Sequence, residues 1–177
     1  MEGERWDLFM AVEGEIPAMN ELQNYNDFDA MEKKLLGICF GHQVLSRALG
    51  GKVGKAKTGW DIGVRKVEIM ESSEWKFVEE MGEIPGSMFI IECHRDEVWE
   101  IPFGAKVIGF SEKTGVEVFA IGDHILGIQD HPEYSKDILY DLVDRLVNND
   151  TIQPEFAEDA KLGIQAAEPD TKWWDKI

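Results

Sequence analysis

Residues 35–51 read LLGICFGHQVLSRALGG. Lys34–Ile38 is a short continuous apolar run of the kind buried on both faces of a parallel sheet, and it leads through Cys39 into a stretch with helical composition. The Gly50-Gly51 pair supplies a C-terminal stop. Strand, sharp turn and helix in so few residues predict an α/β fold. At the turn, Gly37-Ile38-Cys39-Phe40-Gly41 sets Cys39 in the middle of a G-x-nucleophile-x-G pattern, which pushes the central side chain out at the carboxyl edge of a sheet. The glycines belong there because so tight a turn leaves no room for Cβ atoms. The pentapeptide alone is equally compatible with a small buried thiol.

Working outward, residues 6–12 (WDLFMAV) read as a short strand, and ELQNYNDF (21–28) ends a second, weaker apolar patch. VRKVEIM (64–70) alternates with period two. SMFIIECH (87–94), AKVIGFS (105–111) and VEVFAIG (116–122) follow as strands, and Gly122-Asp123 suits a hairpin turn into HILGIQ (124–129). The middle third is therefore largely β. SKDILYDLVDRLV (135–147) predicts a helix capped by Ser135, with Ile138, Leu139, Leu142, Val143 and Leu146 on its apolar face. The tail, which ends in Trp173 and Trp174, is expected to be helical. The whole of 1–177 is expected to form a single domain.

Composition narrows the function. The net charge of −17, from 35 acids against 18 bases spread along the chain, offers no basic footprint for phosphate backbones or anionic lipid. Nucleic acid and membrane are thus not expected partners. No run of eighteen apolar residues occurs and the first ten residues lack a signal-type segment, so a cytoplasmic (cytosolic) location is expected. The two cysteines, Cys39 and Cys93, resemble neither a disulfide framework nor a zinc set and are expected to be free thiols.

The chemistry rests on two segments. The elbow puts the Cys39 sulfur at a helix N-terminus, where the helix dipole is expected to lower its pKa, and lets the Phe40 backbone N–H point at an oxyanion. In GIQDHPEYS (127–135), His131 ends an apolar strand, Pro132 blocks helix propagation, and Glu133 can hold the imidazole in one tautomer. Cysteine, histidine and carboxylate in that order compose an acyl-transfer triad.

GICFGHQ followed much later by HPE resembles the class I glutamine amidotransferase-like family. GEIP, LGICFGHQVLSRALGGKVGKA, GWDIGV, HRDEV and LGIQDHPEYSKDIL are similar, more narrowly, to the plant γ-glutamyl peptidases. The resemblance implies a three-layer α/β fold, flavodoxin-like, with a mostly parallel sheet and flanking helices. It implies Cys39 as nucleophile, His131 as general base and acid, and Glu133 as its orienting partner. Gln43 would contact the glutamyl group of the substrate, and His94, in a loop His94-Arg95-Asp96 beside the pocket, would be a second substrate contact. The implied reaction is hydrolysis of the γ-glutamyl amide of glutathione conjugates, as in thiol and glucosinolate-type sulfur metabolism in plants. A thiolate attacks the carbonyl, two N–H donors hold the oxyanion, His131 protonates the leaving amine, and water clears the thioester. Neither metal nor organic cofactor is needed.

The chain departs from that family in two places. It starts late relative to the family's first strand and helix, and only Asp29 to Lys34 separate Phe28 from Leu35. A crossover between neighbouring parallel strands takes about a dozen residues or more. The loop that donates the second oxyanion N–H, and the helix after it, are thus expected to be missing, which makes the fold incomplete. Loss of one such donor costs about 3–4 kcal/mol of transition-state stabilisation. Two alternatives to the peptidase reading stay open: a glutaminase releasing ammonia from glutamine, and a catalytically impaired, truncated homologue that acts only by binding.

Overall fold

The computed structural model describes residues 6–10, 34–70 and 85–171. In chain order the elements are β1 (Trp6–Met10), β2 (Lys34–Ile38), α1 (Phe40–Ala48), β3 (Lys52–Lys55), β4 (Asp61–Ile69), β5 (Ser87–His94) and β6 (Asp96–Glu100). They continue with β7 (Lys106–Phe110), β8 (Val118–Ile121), β9 (Ile125–Ile128), α2 (Lys136–Asn148) and α3 (Pro154–Ala166).

Seven strands form one sheet in the order β1-β2-β9-β8-β7-β4-β5, and β3 pairs with β6 in a small second sheet. The α/β class with flanking helices is as the sequence predicts. The mostly parallel sheet is not: β1 with β2 and β2 with β9 are parallel, whereas β9-β8, β8-β7, β7-β4 and β4-β5 are all antiparallel. The reason lies in the connections. The Gly122-Asp123 turn, with Gly122 at φ 56°, folds β8 straight back onto β9, and a tight hairpin can join only antiparallel strands.

On its far side β2 meets β1, with Trp6 opposite Lys34 and Met10 opposite Ile38. Residues 11–33 join these two strands, more than the dozen or so a parallel crossover needs. The expected strand ending near Phe28, the oxyanion loop after it, and the tail residues Trp173 and Trp174 lie outside the described residues.

Alternation along β2 divides its side chains between two cores. Leu36 and Ile38 pack with Ile108, Val118, Ala120, Leu126 and Ile128 on one face. On the other, Leu35 joins Leu45 of α1 and Leu49 just after it, with Phe119, Ile121 and Ile125. Gly37 lies on the helix side, where an added Cβ would come within 2.6 Å of Leu45 Cδ1 and 2.7 Å of the Gly41 backbone. The elbow therefore demands glycine on steric grounds, as the sequence pattern implies.

The other two helices, α2 and α3, cover β4 and β5. Leu139 and Val143 of α2 and Ile164 of α3 are fully buried against Ile62, Val64 and Ile91. Ser135 caps α2, accepting from the Ile138 N–H at 3.4 Å, as expected. Ile138 itself is exposed, so the predicted apolar face is narrower than the sequence suggests. β3 and β6 have no counterpart in the sequence reading. The segment expected as a loop at His94-Arg95-Asp96 turns at Arg95 directly from β5 into β6.

Candidate active site

The β2–α1 junction builds the elbow. Cys39 is the N-cap of α1 with φ 48° and ψ −103°, a left-handed backbone that L-residues rarely adopt and that the surrounding structure must enforce. The Cys39 N–H donates to the Ile128 carbonyl at 2.7 Å, and its carbonyl accepts from the Gln43 N–H at 3.1 Å. One bond ties the turn to β9 and the other starts the helix. The Phe40 backbone N–H faces the sulfur.

Three residues after the end of β9 comes His131. Its backbone N–H donates to the Ile91 carbonyl of β5 at 2.8 Å, and its own carbonyl accepts from the Tyr134 N–H at 3.2 Å. Its Nδ1 lies 2.8 Å from Glu133 Oε1, the contact expected of an orienting carboxylate. Tyr134 stacks on the imidazole with ring centroids 4.0 Å apart and planes within 5°. The charges of Cys39 and Glu133 both act on the Tyr134 hydroxyl, and the Glu133 charge acts on Cys39. The fold thus gathers Cys39, His131, Glu133 and Tyr134 at the carboxyl ends of β2 and β9.

The electrostatics differ from the sequence expectation. Burial, followed by the charges of Glu92 and Cys93, drives the Cys39 thiol far above its ordinary range, and the Phe40 N–H offsets this only in part. The residue is partly exposed, but its sulfur is enclosed. The helix N-terminus does not win here, because desolvation of a thiolate outweighs a dipole whose worth near a helix end is about 0.3–2 kcal/mol. Cys93 is also a free thiol, pushed up to about 11 by burial and Glu92.

Gln43 and His94 behave differently from the expected substrate contacts. Gln43 is buried, and its Nε2 donates to the Asp96 carbonyl at 2.8 Å and to Gln129 Oε1 at 3.0 Å, so both of its N–H groups are spent inside the protein. His94 is 4% exposed, with Nδ1 on the Asp96 carbonyl at 3.0 Å and Nε2 towards Glu92 Oε2 at 3.2 Å. Its ring is turned inward because β5 runs directly into β6 and carries the side chain under the sheet edge instead of onto an open loop.

Two neighbours of the thiol escape the sequence reading. Gln129 Nε2 lies 3.6 Å from Cys39 Sγ, and Tyr134 covers the imidazole. Period-two alternation at the end of β9 would place Gln129 on the side of His131, a signal that was present in the sequence. Glu92, His94 and Glu117 also come together, each buried, with ligating atoms within 4.8 Å of one another.

Comparison with known proteins matches this geometry to a family. The sequence profile of Glutamine amidotransferase class-I matches residues 11–138. Gamma-glutamyl peptidase 3 of Arabidopsis thaliana is 41% identical over 204 residues, covering 99% of this chain and 82% of that protein. The matched span exceeds the 177 residues of the chain, so the relative carries residues inside the match that this chain lacks. Gamma-glutamyl peptidase 2 of the same plant is 42% identical, covering 97% of this chain and 79% of that protein. Among solved structures, a glutamine amidotransferase from Thermotoga maritima superposes with a TM-score of 0.56 at 25% identity over 86% of this chain and 70% of that one. One from Methylobacillus flagellatus shares the fold with a TM-score of 0.59 at 22% identity, over 86% and 63%. With its Cys39 elbow at the end of β2 and its His131–Glu133 pair just past β9, and with that profile and those relatives matched, the chain belongs to the class I glutamine amidotransferase family, a family of enzymes.

Proposed function

We propose that this protein hydrolyses the γ-glutamyl amide bond of small thiol peptides, glutathione conjugates in particular, in the cytosol. The observation that carries the reading is the His131 Nδ1–Glu133 Oε1 contact of 2.8 Å beside a strained cysteine elbow, in a chain 41% identical to a γ-glutamyl peptidase. Glu133 accepts the Nδ1 proton, which leaves Nε2 of His131 as the basic nitrogen that takes the proton from Cys39.

The thiol is neutral in the resting protein, so attack couples to proton transfer instead of drawing on a standing thiolate. Sγ adds to the γ-carbonyl, and the Phe40 N–H, which faces the sulfur at rest, turns its dipole to the developing oxyanion. His131 then delivers its proton to the leaving amine. Water, deprotonated by the same nitrogen, hydrolyses the thioester and releases glutamate. Gln129 and Gln43 form a relay of amides that fixes the far side of the sulfur.

The test is release of free glutamate from a γ-glutamyl-cysteinyl conjugate, measured alongside release from free glutamine. Faster turnover of the conjugate supports the proposal. Preference for glutamine would favour the glutaminase alternative, and no turnover of either, with no covalent labelling of Cys39 by a γ-glutamyl electrophile, would leave a binding role.

A further inference from the structure

Behind the thiol lies a group of ionisable side chains that the hydrolysis does not use. Glu92 and His94 project from β5, Glu117 immediately precedes β8, and Asp130 follows β9. Their exposures are 0%, 4%, 0% and 0%. They sit where the sheet is weakest, since β4 and β7 pair only through Glu68–Phe110 and Ile69–Gly109.

His94 shows what is unusual about the group. Its Nδ1 lies 3.0 Å from the Asp96 carbonyl, and a carbonyl only accepts, so Nδ1 carries the hydrogen. In the neutral ring Nε2 is then a lone pair. It faces Glu92 Oε2 at 3.2 Å, is buried, and has no hydrogen-bond donor. Glu92 and Glu117 are likewise buried, and their oxygens meet the Asp130 carboxyl and, for Glu117, the Ser111 hydroxyl, with no side-chain cation on either among the described residues. Two acceptors facing each other in a dry interior need a proton or a metal cation between them. The nearby side-chain cations are taken: Arg65 Nε is 2.8 Å and Lys113 Nζ 3.2 Å from Asp61 Oδ1.

We propose that Glu92, His94 and Glu117 bind one divalent cation of the zinc or manganese class, with the uncharged Asp130 carboxyl adjoining. Their ligating atoms already lie within 4.8 Å of one another. Two carboxylates and a neutral imidazole balance a charge of 2+, and the imidazole disfavours magnesium and calcium, which take oxygen ligands. A histidine whose Nδ1–H is anchored on a backbone carbonyl while Nε2 stays free is oriented as metal-ligating histidines are. The site joins β5 to the segment entering β8 across the narrow β4–β7 seam, beside the His131 N–H to Ile91 carbonyl bond, so the cation acts as a brace and takes no part in the amide chemistry. This inference stands whether or not the Cys39 site cleaves γ-glutamyl bonds.

The test uses the full chain, incubated with Zn²⁺ or Mn²⁺, freed of unbound metal and analysed for metal content, with affinity read by competition against a chromophoric chelator. One equivalent per chain is expected, unaffected by excess Mg²⁺. Glu92→Gln and Glu117→Gln should each weaken binding by more than about 100-fold, beyond the ~10–100-fold that loss of an outer-shell partner costs. The Cys39→Ser variant should bind as the unsubstituted chain does. Should the glutamine variants fail to fold, Co²⁺ added to the unsubstituted chain decides: visible bands without a thiolate charge-transfer band support the site. A thiolate band, loss of binding in Cys39→Ser, or full binding in Glu92→Gln would place the metal elsewhere and overturn the proposal. So would a chain that binds no metal and gains heat stability on Glu92→Gln, since protons shared among the carboxyls would then be the missing charge.

Discussion

His131 and His94 are built alike and placed differently. Each has Nδ1 held by a fixed oxygen, Glu133 Oε1 at 2.8 Å in one case and the Asp96 carbonyl at 3.0 Å in the other, which leaves Nε2 to face a partner. The His131 side chain keeps 12% of its surface and Glu133 21%, whereas the His94 side chain keeps 2% and Glu92 none. The open pair can exchange protons with a substrate and with water. The closed pair cannot, and its unmet charge has to be supplied from within. An imidazole–carboxylate unit is therefore a catalytic group or a ligand set according to what surrounds it, not according to its own geometry.

The largest effects should separate the two ends in activity. Cys39→Ala and His131→Ala are expected to lower glutamate release by about 10⁴–10⁶-fold, and Glu133→Gln by less, about 10⁴-fold at most, because it acts only through the imidazole. His94→Asn should fall well short of His131→Ala. Equal losses in kcat would erase the distinction drawn here.

Next comes a pH effect that belongs to the closed end. His42 is fully buried, lies tilted against Phe119 with ring centroids 4.9 Å apart, and is pushed down to about 3, chiefly by burial, with the backbone of Gly127 and Val116 opposing the fall. Its folded pKa lies below the unfolded value, so the unfolded chain binds the extra proton first. The stability tied to a neutral His42 is present above pH 6.5 and is lost as pH falls towards 3, a span worth a few kcal/mol, at about 1.4 kcal/mol per pH unit. Denaturant titrations of the unsubstituted chain and His42→Asn at pH 7.5 and 5 should converge as pH falls. Parallel curves would mean that the imidazole is hydrated.

A smaller effect sharpens the contrast between the two thiols. Both are raised, Cys39 further than Cys93, so iodoacetamide should label Cys39 no faster than Cys93 in the free protein, with rates still climbing above pH 8. A Cys39 rate that is already level below pH 7 would restore the lowered pKa suggested by its helix N-terminus.

The smallest effect concerns the start of α2, just past the His131–Tyr134 turn. Ser135→Ala removes the cap on Ile138 and should cost about 1 kcal/mol in thermal or denaturant unfolding, with glutamate release nearly unchanged. A large loss of activity would show that the helix start also holds Glu133 in place.

Much of this was legible along the chain because it depends on near neighbours. The run Lys34–Ile38, the glycine at 37, the period-two alternation of residues 64–70, the apolar run from Ser87 to His94, and Ser135 ahead of an amphipathic run are local patterns, and the corresponding elements appear at those residues. The Cys39 turn and the His131–Glu133 contact, two residues apart, were legible for the same reason. Strand direction was not: β8 and β9 are joined by a turn whose geometry dictates antiparallel pairing, while a short apolar run reads alike in either sheet. Nor was the charge state of Cys39. Local sequence argues for a thiolate, and the structure reverses it because burial and Glu92, far away along the chain, outweigh the helix end. The Glu92–His94–Glu117 group is of the same kind. Its members are ordinary strand residues until β5 and the start of β8 bring them together, because dehydration and charge are properties of the assembled neighbourhood and not of any one segment.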